Sequence, residues 1–359
     1  MLLAAATLPL ALLAAAGGDA AAFEAALAGG DVVGAIALAR TAAEASERQP
    51  AGQAARTLLD LGTALFGAPG DVAEARAQAT ALIERAVERL EAAPGDAGLE
   101  AEALSTLSTL RYYAGRWDEA EALELRALER RRSSGVPADP AVAESLSGLG
   151  AIAYAQGRYD DAEGYLARAV EARRASGGDP AALADSLNGL AEARRAQGRF
   201  READAGFREA LALAAGLGDD GAVTLARICN NLAGLLKDEG QLDEAELLLR
   251  RSLELRERAL GPEHPDVATA WLNLAEVVRI RGDAAAAEPL YSRALELARR
   301  ALGADNPDMA WFLNQRAAVL RDAGRLEEAE AMYRESLALL ERTAGADHPL
   351  VGQAWHDLA

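Results

Sequence analysis

Cysteine occurs once in the 359-residue chain, at Cys229, so no internal disulfide can form. Lysine also occurs once, at Lys237, and histidine three times, at His264, His348 and His356. One thiol and three scattered histidines make no ligand cluster of zinc spacing, and no metal site or cofactor is expected. P-loop, HExxH, GxSxG and paired-cysteine motifs are all missing, which removes the chemistries they support. No catalytic residue is therefore assigned. Basic residues are outnumbered, 37 Lys and Arg against 56 Asp and Glu, for a formal charge of −19. Nucleic-acid binding requires a basic face to neutralise phosphates, so that class is disfavoured.

Aromatic residues are only 4% of a chain that is 51% hydrophobic, much of it alanine. Alanine, leucine, glutamate and arginine with few β-branched residues read as all-helical. Leu2 to Leu13 form an apolar run of signal-peptide length, and Ala14-Ala15-Ala16 offers small-residue cleavage geometry. Residues 1–20 are expected to direct export, to a periplasm or outside the cell, although no Lys or Arg precedes the run. A first amphipathic helix in a cytoplasmic protein is the alternative. No later run approaches the ~18 apolar residues of a membrane span.

Six segments repeat one pattern: GRWDEAE, GRYDDAE, GRFREAD, GQLDEAE, GDAAAAE and GRLEEAE. Their glycines, Gly115, Gly157, Gly198, Gly240, Gly282 and Gly324, are spaced by 42, 41, 42, 42 and 42 residues. Each follows one amphipathic segment and precedes another, as a helix C-cap with positive φ would. An acid recurs six residues on, at Glu121, Glu163, Asp204, Glu246, Glu288 and Glu330, where it is expected to complement the helix dipole. Small residues recur beside it, Ala120, Ala162, Ala203, Ala245, Ala287 and Ala329, and again seven further on as Ala127, Ala169, Ala210, Ser252, Ala294 and Ser336. Two turns apart, they share one face and permit close helix approach. The next positions, Leu128, Val170, Leu211, Leu253, Leu295 and Leu337, are expected to fill the interior.

The stretch 271–297 carries Trp271, Leu274, Ala275, Gly282, Ala287, Tyr291 and Ala294, and this order of large and small residues resembles the tetratricopeptide repeat. The longer period and the Gly-x-x-His-Pro connector resemble the kinesin light chain variety. The resemblance implies an all-α, right-handed α-solenoid of antiparallel helix-turn-helix repeats. It covers 101–359, with six units and an incomplete terminal helix around Trp355, Leu358 and Ala359. Residues 21–100 carry weaker echoes at Gly30 and Gly70 and read as degenerate repeats forming a cap. Arg111, Arg194 and Arg316 fall at packing positions, and Glu124 stands where other units have Leu166, Phe207, Leu249, Tyr291 or Tyr333, so looser or shifted packing is expected there.

The segments GPEHP, GADNP and GADHP place His264, Asn306 and His348 at one position, each before a proline. A position shared by His and Asn suits a short hydrogen-bonding side chain at a helix start, followed by Pro265, Pro307 or Pro349 in the first turn. Cys229 falls at the Trp271-equivalent packing position and reads as a buried thiol.

The resemblance further implies that first helices line a concave groove holding a protein or peptide partner. Nine and ten residues before the turn glycines, Asn188, Asn230, Asn231, Asn273, Asn314 and Gln315 are expected to face it. Amides donate and accept, so they pair with an extended backbone of any sequence. Three residues before each glycine stand Tyr112, Tyr154, Arg195, Lys237, Arg279 and Arg321. The four cations either select acidic segments of a partner or complement the dipole in the last turn of each first helix. The expected function is a non-catalytic interaction scaffold. The alternatives are a peptide-sensing regulator, or the repeat portion of a longer peptidase or nucleotide-binding enzyme.

Overall fold

The computed structural model describes residues 20–67, 72–93, 95–133, 140–304, 306, 308–344 and 355. Among them the regular elements are sixteen α-helices and one 3-10 turn. The chain divides into two compact units, Met1–Gly178 and Asp179–Ala359.

In the first unit α1 (Ala20–Ala28) packs on α2 (Val32–Ser46), α3 (Ala51–Phe66) on α4 (Val72–Ala92), α5 (Ala97–Tyr113) on α6 (Trp117–Ser133), and α7 (Pro140–Ala155) on α8 (Tyr159–Ser176). In the second unit the hairpins are α9 (Pro180–Ala196) with α10 (Phe200–Ala215), α11 (Ala222–Asp238) with α12 (Leu242–Leu260), α13 (Pro265–Ile280) with α14 (Ala284–Leu302), and α15 (Met309–Asp322) with α16 (Leu326–Ala344). A 3-10 turn, Gly218–Gly221, links α10 to α11. This is the all-α, hairpin-repeat solenoid that the glycine spacing predicts.

The hairpin turn follows from one conformational requirement. Gly240 adopts φ +76°, its N–H donates to the Lys237 carbonyl at 3.0 Å, and the Gln241 N–H reaches back to the Leu236 carbonyl at 2.8 Å. That pair of bonds closes a left-handed helix end, a conformation in which a Cβ is strained. The same bonds recur at Gly115, Gly157, Gly198, Gly282 and Gly324. Gly30, in the weaker N-terminal echo, forms them too, with its N–H on the Leu27 carbonyl and the Asp31 N–H on the Ala26 carbonyl. Gly70, the apolar run before Ala20, His348 and His356 lie outside the described residues.

The small residues sit where the two helices of a hairpin come closest. Ala120, Ala162, Ala203, Ala245 and Ala287 have no exposed surface. Where serine replaces alanine, its buried hydroxyl is satisfied across the hairpin, Ser252 donating to the Ala226 carbonyl at 2.7 Å and Ser336 to that of Ala310 at 3.2 Å. Leu128, Val170, Leu253, Leu295 and Leu337 are buried as expected, whereas Leu211 is only half-buried.

Three local expectations change. The recurrent acids are not first-turn residues: Glu121 is the fifth residue of α6, and it bonds Arg158 at the start of the next hairpin's second helix. Glu288 does the same with Arg325 at 3.1 Å, and Glu246 with Arg281. Glu121, Glu246 and Glu288 thus clasp neighbouring repeats, whereas Asp204 and Glu330 pair with Arg208 and Arg334 of their own helices. Packing around Glu124 is not loose either. Its buried carboxylate accepts the Ser105 hydroxyl at 2.8 Å and lies against Gly148, where an added Cβ would come within 3.3 Å. Burial pushes that carboxyl above its ordinary range, against the pull of Ser105, Ser145 and Arg131. Arg111, at another departure, is held between Glu84 and Glu119.

His264 is the N-cap of α13: its Nδ1 accepts the Asp266 N–H at 3.1 Å. Asn306 Oδ1 accepts the Asp308 N–H at 2.8 Å in the same two-residue reach. Asp179, before Pro180, repeats it with Ala181 at 3.0 Å. The histidine is helix punctuation.

Candidate functional site

Consecutive first helices of the second unit pack directly on one another, α9 on α11, α11 on α13 and α13 on α15. Side chains nine and ten residues before each turn glycine therefore meet from repeat to repeat. Asn273 Nδ2 donates to Asn230 Oδ1 at 2.7 Å, Asn230 to Asn231 Oδ1 at 3.3 Å, and Asn231 to Asn188 Oδ1 at 3.2 Å. Four of the five predicted asparagines thus form one relay across α13, α11 and α9. Asn188 is buried at its inner end, and the other three are half-buried. Asn314 and Gln315 occupy the same two positions on α15, also half-buried. An amide carries two N–H groups and two carbonyl lone pairs. Each relay bond uses one donor and one acceptor, which leaves the half-buried amides capacity for a strand laid over them.

The basic ladder is less free than its sequence suggests. Arg195 Nε donates to Asp238 of the next first helix at 2.7 Å, and its Nη1 to Glu192 at 3.5 Å. Arg279 repeats this one double period later, bonding Asp322 at 2.7 Å and Glu276 through two bonds of 3.1 Å. Asp238 and Asp322, which the sequence reading passed over, carry the signal of standing 43 residues after each arginine. The two arginines are thus neutralised by the protein itself. Arg321 has Asp322 at 3.5 Å. Lys237, half-buried on α11, has no carboxylate within ion-pair distance among the described residues.

The two carboxylates of these clusters differ for a reason that lies on the second helix of their own hairpins. Burial pushes Glu276 up, but hydrogen bonds from Arg279 and Tyr291, with the charges of Arg279 and Lys237, bring it below the ordinary range. The Tyr291 hydroxyl donates to Glu276 Oε2 at 2.7 Å. Glu192 faces the equivalent hairpin, where Phe207 replaces tyrosine and offers no hydroxyl. Burial dominates there and holds the Glu192 carboxyl above its usual range, against Arg195.

Cys229 is fully buried, and burial pushes its thiol up to about 11, the signature of a packing residue. No group of three or more His, Cys, Asp or Glu that could hold a metal ion gathers among the described residues. None of the described helices is long and apolar enough to cross a membrane.

A family model described as tetratricopeptide repeat matches residues 141–215, 224–300, 266–341 and 308–359, and a second of the same description matches 101–134. No curated protein sequence matches the chain. Among solved structures the chain is similar to BtubC (BKLC) from P. vanneervenii, 24% identical over 65% of this chain and 94% of that one, with a TM-score of 0.55. It is also similar to the apo form of RapI, 15% identical over 81% and 98% of the two chains, TM-score 0.61. A Rap protein complexed with competence and sporulation factor matches at 14% identity over 86% and 81%, again with a TM-score of 0.61. At these identities the likeness is one of fold. Matched along well over half its length, the chain belongs to the tetratricopeptide repeat family, with turn glycines spaced by 41 or 42 residues.

Proposed function

We propose that the protein is an interaction scaffold whose second unit holds an extended peptide or partner segment along its first-helix face. The asparagine relay carries this reading: four amides bridge three successive repeats on a half-buried strip, in a chain without a recognisable catalytic motif. Backbone amides of a ligand pair with such a strip whatever their side chains. Selectivity comes from the basic ladder. Because Arg195 and Arg279 are already bonded to Asp238 and Asp322, and Arg321 lies 3.5 Å from Asp322, an acidic ligand residue is met first by Lys237. We further propose that residues 1–20 direct export, which the mass of the mature N-terminus in the native host tests.

The binding test is fluorescence anisotropy with acidic and neutral peptide libraries. Each lost amide bond is worth about 1 kcal/mol, so the Asn230→Ala, Asn273→Ala double variant should weaken binding by roughly tenfold or more. Unchanged affinity in that variant rules the relay out. Reversing Lys237 and Arg321 to Glu should abolish the preference for acidic peptides, whereas reversing Arg279 also frees Asp322 and perturbs the fold.

A further inference from the structure

Two turn segments of the first unit, 116–121 and 158–163, together hold six carboxylates against two arginines. Each opens its second helix with an aromatic residue, Trp117 on α6 and Tyr159 on α8. In the second unit that position carries Phe200 and Leu242, both packed on the core, then Ala284 and Leu326. At the first unit's turns the rings stay outside: Tyr113 is 45% exposed, Trp117 39% and Tyr159 36%. Bonds between the two turns make one surface of them. Asp118 accepts the Gln156 amide N–H at 2.8 Å, and Glu121 pairs with Arg158 at 2.5 Å. Gln156 follows Tyr154 by two residues, and the Tyr154 ring lies 5.3 Å from that of Tyr159.

The molecule already shows what such rings hold. The Arg76 guanidinium lies over the Phe66 ring at 5.9 Å, and that ring is 5.5 Å from Tyr113. In the second unit Arg293 covers the Trp271 ring at 4.9 Å. Among the described residues no ring or cation lies over Trp117, and no cation stands within ion-pair distance of Asp118, the next residue. The two arginines of the turns are engaged elsewhere, Arg116 with Glu119 and Arg158 with Glu121 and Asp161. A guanidinium stacks flat on an aromatic face while its edge donates to a carboxylate, and both partners stand here side by side.

We propose that this turn surface of the first unit binds an arginine side chain of a partner segment, its guanidinium stacked on Trp117 and paired with Asp118. Charge selects the occupant, since the carboxylate surplus attracts a cation and repels an acidic segment. Shape then favours arginine over lysine, whose ammonium is a point charge without a flat face. The asparagine relay belongs to the second unit, and this site does not depend on it.

The test is fluorescence anisotropy with a labelled Gly-Arg-Gly-Arg peptide and counterparts carrying lysine or citrulline, the uncharged isostere of arginine. The wild-type protein should bind the arginine peptide about fivefold more tightly than the lysine peptide and roughly tenfold more tightly than the citrulline one. Trp117→Leu places at the turn the residue of sibling repeats; it should melt at the wild-type temperature and bind the arginine peptide about fivefold more weakly. Trp117→Tyr, which keeps a ring, should restore most of that binding. Asp118→Asn, at an exposed side chain, should also weaken binding by about fivefold, which keeps the comparison available if leucine loosens the turn. Lysine or citrulline matching arginine, or arginine binding unchanged in Trp117→Leu and in Asp118→Asn, overturns the site. The Asn230→Ala, Asn273→Ala variant should bind the arginine peptide normally; a loss there would put the peptide in the groove of the second unit and overturn this site as well.

Discussion

At the residue scale, one histidine shows how repetition separates structure from chemistry. His264, Asn306 and Asp179 differ in charge and size, yet each side chain accepts the backbone N–H two residues on and precedes a proline. What the position requires is a lone pair at short reach. His264→Asn should therefore change stability by less than about 0.5 kcal/mol, and His264→Ala should cost about 1 kcal/mol in chemical denaturation. A carboxylate in the first unit gives a different signal. Asp60, on α3, has a buried Oδ2 without a hydrogen-bond partner and Arg56 only at 4.0 Å; burial pushes its carboxyl to about 6. An acid raised in the folded state stabilises below its unfolded value near 3.9 and loses that contribution as pH rises through the folded value. Subtracting the melting curve of Asp60→Asn from that of wild type should thus give a difference that grows between about pH 4 and pH 6, with the variant the more stable at pH 7. A flat difference would mean that Asp60 titrates as an ordinary surface acid.

At the scale of the element, the sequence was most legible where backbone geometry leaves one solution. The turn glycines adopt positive φ because the chain must reverse within a few atoms, and few other residues tolerate that. The fully buried alanines were legible for the same reason, since a hairpin this close admits nothing larger. Ala245→Phe should overpack α11 against α12 and cost ~1–3 kcal/mol in a thermal or urea melt. Side-chain partners were less legible, because spacing alone does not say what lies across a repeat. Glu246 looked like a dipole residue and proved to hold Arg281, a residue of the next turn. Glu124 looked like a packing defect, and Gly148 had already made room for it.

At the scale of the whole molecule, a formal charge of −19 hides where cations are available. The four-membered basic ladder was read from spacing; the neutralisation of Arg195 by Asp238 and of Arg279 by Asp322 required the fold, since each bond spans 43 residues. The asparagine relay was legible as a set of positions but not as a bonded chain. Its members sit on three helices that meet only when the repeats stack. If Lys237 is the open cation, Lys237→Met should remove most of the salt dependence of acidic-peptide binding between about 50 and 200 mM NaCl. Arg195→Met should remove little of it, because that charge is already screened by its own carboxylate.

The bridges Arg195–Asp238 and Arg279–Asp322 also say how this chain can be shortened. They alternate, so that one boundary between repeats is fastened this way and the next is not. Excising 199–240 joins Gly198 to Gln241 and keeps the helical register, but it sets Ile280 where Arg195 expects an aspartate. Excising 199–282 joins Gly198 to Asp283 and hands Arg195 the carboxylate of Asp322. The larger deletion should be the better tolerated: the modular unit of this end of the chain is the pair of hairpins.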